Sequence, residues 1–161
     1  MDVARPMKER PDDVEHFWAE FCTATGTPAD EPYQSWYFGN SAEMAAELAE
    51  LVIGGRKRAT ASMAAVNALT PHEAPVLGGD SVVTDLNGQP RCVIRTVEIR
   101  QIPFCEVDSQ FAFDEGEGDR SLGYWREVHS NYFGREAADL GVVFDDRSMI
   151  CCERFELLYV K

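Results

Sequence analysis

The strongest constraint on the fold is an Asn87-Gly88 pair that lies between two apolar, strand-like runs. The segment GDSVVTDL precedes this pair, and the segment QPRCVIRTVEIRQI follows it. Asn-Gly favours the positive φ angles of a two-residue hairpin turn, so the two runs are predicted to pair as antiparallel strands. The last segment, ICCERFELLYV, alternates along its length and predicts a final, half-buried strand.

Helical spacing occurs on both sides of these strands. A first helix is predicted over residues 12–26, a second from Asn40 or Ser41 to Gly54, and a third from Ser121 into the 130s. The stretch GTPADEPYQSWYFGN between the first two helices holds prolines, glycines and turn residues, which predicts a long loop. Helices that gather early and late around hairpin strands indicate an α+β fold with a mostly antiparallel sheet. A small β-barrel surrounded by helices fits this order.

The chain length of 161 residues suits one domain and is short for two. Residues 1–11 are too polar to fold and are predicted to be flexible, so residues 12–161 form the predicted domain. No apolar run reaches the length of a membrane helix, and the N-terminus lacks the apolar centre of a secretory signal. We therefore expect no membrane partner and a cytoplasmic location.

No motif predicts a metal or a cofactor. The five cysteines form no C-x-x-C pair, and none of the three histidines has a cysteine at zinc-finger spacing. The acidic residues around Gly116 and Gly118 lack the spacing of a calcium loop, and the glycines lack that of a nucleotide fingerprint. Reduced thiols packed as small apolar groups are expected instead.

The segment GGRKRAT concentrates positive charge in a chain whose formal net charge is −13. Such a net charge opposes nonspecific adhesion to nucleic acid, so any contact with phosphate must be local. Arg56, Lys57 and Arg58 form the densest basic cluster. They follow a predicted helix end, so they form either a solvated turn favoured by the helix dipole or part of a pocket for an anionic or polar ligand.

The acidic segment DEGEGD crowds Asp114, Glu115, Glu117 and Asp119 around two glycines. Like charges at this spacing repel, so the segment is either a solvated turn or is approached by a cation or a basic side chain. One of its carboxylates facing Lys57 would give an acid/base pair. Spacing alone does not bring Lys57 and Thr60 together, because on one strand they project to opposite faces unless a bulge intervenes.

Four aromatic residues lie close together in the predicted loop: Tyr33, Trp36, Tyr37 and Phe38. They either cap the core or provide a surface on which a base can stack.

Four segments together resemble the ASCH domain family (activating signal cointegrator homology), a relative of the PUA-like folds. They are GGRKRAT, with Gly55, Lys57 and Thr60 in a G-x-K-x-x-T frame; GGDSVVTDLNGQPRCVIRTVEI; EGEGDRSLGYWREVH; and CERFELLYV. The resemblance runs from about residue 35 to the C-terminus. It implies a family-like core over residues 35–161 with an N-terminal helical extension over residues 12–34.

The resemblance implies a small β-barrel with a cleft whose rim holds the G-x-K-x-x-T segment. PUA-like folds generally handle RNA, some small bacterial ASCH proteins remove the acetyl group of N4-acetylcytidine, and others are reported as ribonucleases. By motif, Lys57 matches the family's lysine base and Thr60 its threonine nucleophile. Glu117 is the predicted catalytic glutamate, with Glu115 as the alternative, and an ion pair between Lys57 and Glu117 is expected.

The other predicted binding residues lie near the G-x-K-x-x-T segment, in the acidic segment or in the aromatic stretch. They are Arg56, Arg58, Ser62, Glu115, Trp36 and Tyr37. Ser62 stands where the family pattern often has arginine, which removes a group that could bind phosphate or carboxylate. Glu153 is predicted to point into the barrel, where a buried carboxylate needs a partner, with Arg95 or Lys57 as the options.

The sequence favours two functions, and a partner-binding domain with a regulatory role remains open beside them. The first is a hydrolase that acts on a modified nucleoside such as N4-acetylcytidine, with Lys57 as base and Thr60 as nucleophile. The second is an RNA-binding module, or a ribonuclease, that uses the same cleft. The expected partner is a modified nucleoside or RNA, single-stranded in preference to duplex.

Overall fold

The structure is a computed structural model that describes residues 5–6 and 12–161. Two short 3-10 turns lie at Pro71–Glu73 and Phe104–Glu106. The described strands are β1 (Arg5–Pro6), β2 (Tyr33–Tyr37), β3 (Ala59–Met63), β4 (Asp80–Thr84), β5 (Pro90–Pro103) and β6 (Met149–Val160). The described helices are α1 (Asp12–Thr25), α2 (Ala42–Ile53), α3 (Ala64–Leu69), α4 (Ser109–Glu115) and α5 (Leu122–Leu140). The flexible terminus predicted over residues 1–11 otherwise lies outside the described residues.

The predicted hairpin forms the middle of the sheet. Strands β4 and β5 pair antiparallel, with Val82 opposite Val93. The expected two-residue turn is wrong, because the five residues 85–89 connect the strands and Gly88, at φ 83°, has a positive φ whereas Asn87 does not. The long strand β5 then pairs antiparallel with β6, which confirms the predicted final strand. The strand order is β1-β2-β4-β5-β6-β3.

The fold is α+β, as predicted, and its sheet is mixed and curled into a half-barrel. β2 runs parallel to β4, whereas the other neighbouring strands run antiparallel. Among the described strands the order ends at β1 and β3, which do not pair with each other. The predicted closed, mostly antiparallel barrel is therefore not confirmed. Helix α2 packs its Leu48 and Val52 against the same apolar cluster as Trp36 of β2.

The prediction of a long loop between the first two helices is wrong, because the second half of that stretch is strand β2. Tyr33 pairs with Asp80 of β4, and Trp36 pairs with Val83. The partner of this five-residue strand lies far along the chain, so local turn signals outweigh strand signals in the sequence.

Apolar clusters cover different parts of the sheet. One cluster joins β3 and β6 to helices α4 and α5, and includes Phe111, Trp125 and Phe133. In another apolar cluster, Phe17 and Phe21 of α1 pack against Val82 and Val93 of the sheet. Burial of each such large side chain stabilises the fold by about 1.5–3 kcal/mol, so α1 is an integral layer of the described structure. None of the described helices is long and apolar enough to cross a membrane.

Candidate functional site

The Lys57 side chain ends in a buried nest of oxygen atoms. Its Nζ is 3.1 Å from Glu117 Oε2 and 3.5 Å from Glu115 Oε1. It also donates to the backbone oxygens of Ala59, at 2.8 Å, and Glu115, at 3.3 Å. Lys57 is only 1% exposed, and its ammonium lies 5.3 Å from the centre of the Phe38 ring. The expected Lys57–Glu117 ion pair is therefore present, whereas the catalytic roles of both residues stay predictions.

The two arginines that flank Lys57 also bind the acidic segment. Arg56 donates from Nε to Gly116 O at 2.7 Å and from Nη2 to Gly118 O at 2.8 Å. The backbone N–H of Arg58 donates to Asp114 O at 2.8 Å, and its side chain lies 3.4 Å from Asp114 Oδ1. The basic and acidic segments singled out in the sequence thus bind each other. The Arg58 side chain is nevertheless 58% exposed, so its predicted attraction for a nucleotide stays a prediction.

Gly116 makes this close pairing of segments possible. It ends α4 in the left-handed conformation, with φ 75°, and a Cβ built at this position would lie 2.3 Å from the Arg56 backbone oxygen. Only glycine adopts this backbone conformation without a steric cost while leaving that space empty.

Glu115 joins the lysine nest to helix α5. Its Oε2 accepts from Trp125 Nε1 and lies 3.1 Å from His129 Nε2. The other ring nitrogen, His129 Nδ1, is 2.8 Å from the backbone oxygen of Trp125. A carbonyl oxygen only accepts, so Nδ1 carries a proton. The contact to Glu115 then requires one more proton, either on His129 as an imidazolium or on Glu115 as a carboxylic acid.

Glu115, Glu117 and His129 are also a possible set of metal ligands, since their ligating atoms lie within 4.8 Å of one another. The ammonium of Lys57, however, already contacts both carboxylates. A divalent ion at this point would meet a buried positive charge, so the donor set fits the lysine better than it fits a metal.

A cavity of about 340 Å³ lies beside this nest, bounded by strands and helices from remote parts of the chain. Trp36 of β2 and Thr60 of β3 both line it, although β4, β5 and β6 separate their strands in the sheet. The curl of the sheet brings these two distant strands to the same cavity. The other lining residues are Gln34, Ala61, Ser62, Val66, Asn67, Leu69, Thr70, Glu73, Pro75, Glu136, Asp139, Leu140 and Glu153.

The predicted nucleophile, Thr60, is 3% exposed and lies on the cavity wall. Its neighbours along β3, Ala59 and Ala61, pack into the cluster under α4 and α5, so strand alternation turns Thr60 and Ser62 to the opposite side. Ser62 Oγ accepts from Asn67 Nδ2 at 2.9 Å. Lys57 is not among the lining residues, so the structure assigns Thr60 to the cavity and Lys57 to the nest beside it.

Glu153 also lines the cavity, directly opposite Thr60 in the pairing of β6 with β3. It is 5% exposed and accepts a 2.5 Å hydrogen bond from Thr96 Oγ1. The predicted option of Arg95 is wrong, because that guanidinium binds Asp80 through contacts of 2.8 and 3.1 Å. The sequence signal for Glu153 was its place in an apolar strand, which indicated burial but not the partner.

The two aromatic residues predicted to bind a base have different surroundings. Trp36 is buried, contacts Phe38 edge-on at 4.8 Å and forms part of the cavity wall. Tyr37, next on the strand, is half-buried and does not line the cavity. His129 was missed as a site residue. Its one signal is the four-residue spacing from Trp125, which stacks the two rings at 4.1 Å on α5.

The ASCH domain model matches residues 34–159 of this chain. Among solved structures, the chain is similar to the ASCH domain from Lactobacillus crispatus JV V101, with 28% identity, a TM-score of 0.85, and coverage of 96% of this chain and 99% of that chain. It is also similar to a protein from Enterococcus faecalis V583 with the family model DUF984, with 32% identity, a TM-score of 0.82, and coverage of 92% and 89%. No curated protein matches the chain.

Proposed function

This chain belongs to the ASCH domain family, and from that premise we propose that its cavity binds one nucleoside and hydrolyses an acyl group from the base. ASCH domains are generally RNA-binding. The nucleoside is either free or part of a single-stranded RNA, because a base inside a duplex is stacked and paired and cannot enter a cavity.

The observation that carries the proposal is that Thr60 and Trp36 line the same cavity. A threonine hydroxyl is a possible nucleophile, and an indole is a surface on which a base can stack. The cavity volume of about 340 Å³ lies within the range of small-molecule sites.

In the proposed reaction, Thr60 Oγ attacks the acyl carbon and its proton passes to a base. The bond between that carbon and the N4 nitrogen then breaks, and the leaving amine takes up a proton. Water hydrolyses the resulting ester on Thr60 Oγ, which releases the acyl group as a carboxylic acid and restores the hydroxyl.

The resemblance implies Lys57 as the base, but the neighbouring carboxylates favour its charged form, which has no free electron pair. Lys57 can act as the base once its proton has moved to Glu117 or Glu115. Glu153 is a second proton acceptor to test, since it faces the same cavity opposite Thr60.

The test is incubation of the purified protein with N4-acetylcytidine, followed by chromatography of the released cytidine. We expect turnover in the natural protein and a loss of about 100-fold or more in Thr60→Val, which keeps the shape of the side chain and removes the hydroxyl. Ser130→Ala, on the exposed face of α5, is the matched control and should retain full activity. A folded protein without turnover at high concentration would exclude this substrate.

A second candidate, RNA binding without turnover, is favoured by the outer surface near the acidic segment. The Arg120 guanidinium lies 3.5 Å from the centre of the Phe113 ring, and Phe113 is 44% exposed. Arg120 also donates to the backbone oxygen of Arg56, which brings it next to the basic segment. Single-stranded RNA that binds here should lose affinity steeply as salt rises, whereas turnover of a neutral nucleoside should be insensitive to salt.

A further inference from the structure

The cavity wall is acidic and has no basic side chain. Its lining residues include four carboxylates, those of Glu73, Glu136, Asp139 and Glu153, and none of them is lysine, arginine or histidine. The arginines of the basic segment are engaged elsewhere, with Arg56 on Gly116 and Arg58 on Asp114. The charge inside the cavity is thus opposite in sign to the charge that binds phosphate.

The polar groups of the wall favour a ligand that donates hydrogen bonds. An ionised carboxylate only accepts, and the hydroxyls of Thr60 and Ser62 can also accept. Glu153 is buried and accepts a hydrogen bond from the hydroxyl of Thr96, whereas Glu136 is half-buried and Glu73 and Asp139 are exposed. The carboxylates therefore favour a ligand group that supplies N–H or O–H donors, and they attract a positive charge on it.

The apolar part of the wall favours an aromatic ligand over a flexible amine. Trp36 presents an indole to the cavity, beside Val66, Leu69 and Leu140. A flat, positively charged ring can satisfy this surface and the carboxylates together, because the face of an indole attracts cations.

We propose that the cavity selects nucleosides whose base carries a positive charge, as N-alkylated bases do, and rejects the 5′-phosphate. The proposal rests on the nucleoside site proposed above and names its ligand class. A neutral nucleoside, including the proposed substrate N4-acetylcytidine, is bound more weakly than a cationic one, and a phosphate group, on a nucleotide or in single-stranded RNA, stays outside the acidic wall.

The experiment compares four ligands by titration calorimetry at neutral pH. 3-Methylcytidine carries a positive base, 5-methylcytidine is neutral and of the same size, cytidine is the parent, and cytidine 5′-monophosphate adds the anion. We expect 3-methylcytidine to bind about tenfold more tightly than 5-methylcytidine, with a preference that decreases as salt rises. Cytidine 5′-monophosphate should bind more weakly than cytidine.

Variants test whether the carboxylates cause the preference. Glu153→Gln keeps the size of the side chain and should remove most of the preference for 3-methylcytidine. Glu127→Gln, on the exposed side of α5, is the matched control and should preserve it. If thermal melting shows that Glu153→Gln does not fold, Glu136→Gln makes the same test from α5.

The outcomes separate the two proposals. Tighter binding of cytidine 5′-monophosphate, or equal binding of the two methylcytidines, overturns the charge selection and leaves the nucleoside site intact. Binding of an aliphatic amine such as agmatine, with no nucleoside bound, overturns the nucleoside site and the choice of an aromatic base. Binding of none of these ligands overturns both.

Discussion

Gly116 is a residue at which the backbone of the acidic segment lies against that of the basic segment. Its φ of 75° and the 2.3 Å distance from a built Cβ to Arg56 O mean that any side chain must move backbone. We expect Gly116→Ala to lower the free energy of unfolding by about 2 kcal/mol or more, because it adds a steric clash to a strained φ. Urea unfolding measures the loss.

The control for this substitution is Gly123→Ala in α5. A Cβ at Gly123 meets no atom within 4 Å, so alanine should be neutral or should stabilise the helix by up to about 1 kcal/mol. Equal effects of the two substitutions would show that the close approach at Gly116 is not energetically important.

For single residues, the sequence predicted the Lys57–Glu117 ion pair but not the side chains that surround it. The crowded charges of the acidic segment left a positive partner as one of two options, and the family resemblance pointed to Lys57 and Glu117, which are 3.1 Å apart. It did not predict that Arg56 and Arg58 would bind that same segment, nor that His129 would reach Glu115. Those contacts depend on the docking of α4 and α5, which no local pattern encodes.

Helix α5 starts immediately after the acidic segment, and its first turn is held by a cap. The hydroxyl of Ser121 accepts from Tyr124 N at 3.1 Å, and Asp119 in turn accepts from Ser121 N at 2.9 Å. We expect Ser121→Ala to cost about 1 kcal/mol of stability, because an N–H at the helix start loses its partner. The urea midpoint should fall with no change in the slope of the transition.

Ser121→Asp is the matched variant, since aspartate accepts the same hydrogen bond and suits the positive end of the helix dipole. It should keep the stability of the natural protein. A loss as large as that of the alanine variant would mean that the cap is not what Ser121 contributes.

Among the helices and strands, the sequence predicted those that are marked by local turn residues and periodicity. The β4–β5 hairpin, the final strand and the three long helices are confirmed because turn residues and periodicity mark them directly. Strand β2 was missed because it is short and its parallel partner lies beyond α2, β3 and α3. The same parallel pairing makes the sheet mixed, so the topology could not be predicted from local alternation.

Across the whole molecule, the five cysteines are free and differ in burial: Cys105 is exposed and the other four are buried. Burial raises the pKa of Cys92 to about 12 and that of Cys151 to about 11, from 9.0. Since the thiolate is the nucleophile, native protein at about pH 8 should react with iodoacetamide at Cys105 first. Peptide mass spectrometry identifies the alkylated cysteines. Cys105→Ser should leave the folded protein nearly unreactive toward iodoacetamide.

The same pKa shifts set a direction for stability against pH. Below about pH 9 these thiols are protonated in both the folded and the unfolded chain, so the full stability is present. Above about pH 9 these thiols lose their protons in the unfolded chain first, and stability falls as the pH rises toward the folded-state pKa values of about 11 and 12.

The labelling experiment has a contradicting outcome: early labelling of Cys92 or Cys151 in folded protein at about pH 8 would contradict the burial of these thiols.

The cavity wall joins Gln34, near one end of the chain, to Glu153, near the other. Contacts between residues so distant in sequence carry a large loop-closure entropy, so they tend to form late in folding. A nascent or truncated chain that lacks β6 therefore has no complete cavity, however much of its helical structure has formed. Any ligand of this cavity binds only the finished molecule, and its binding free energy adds to the stability of the whole chain.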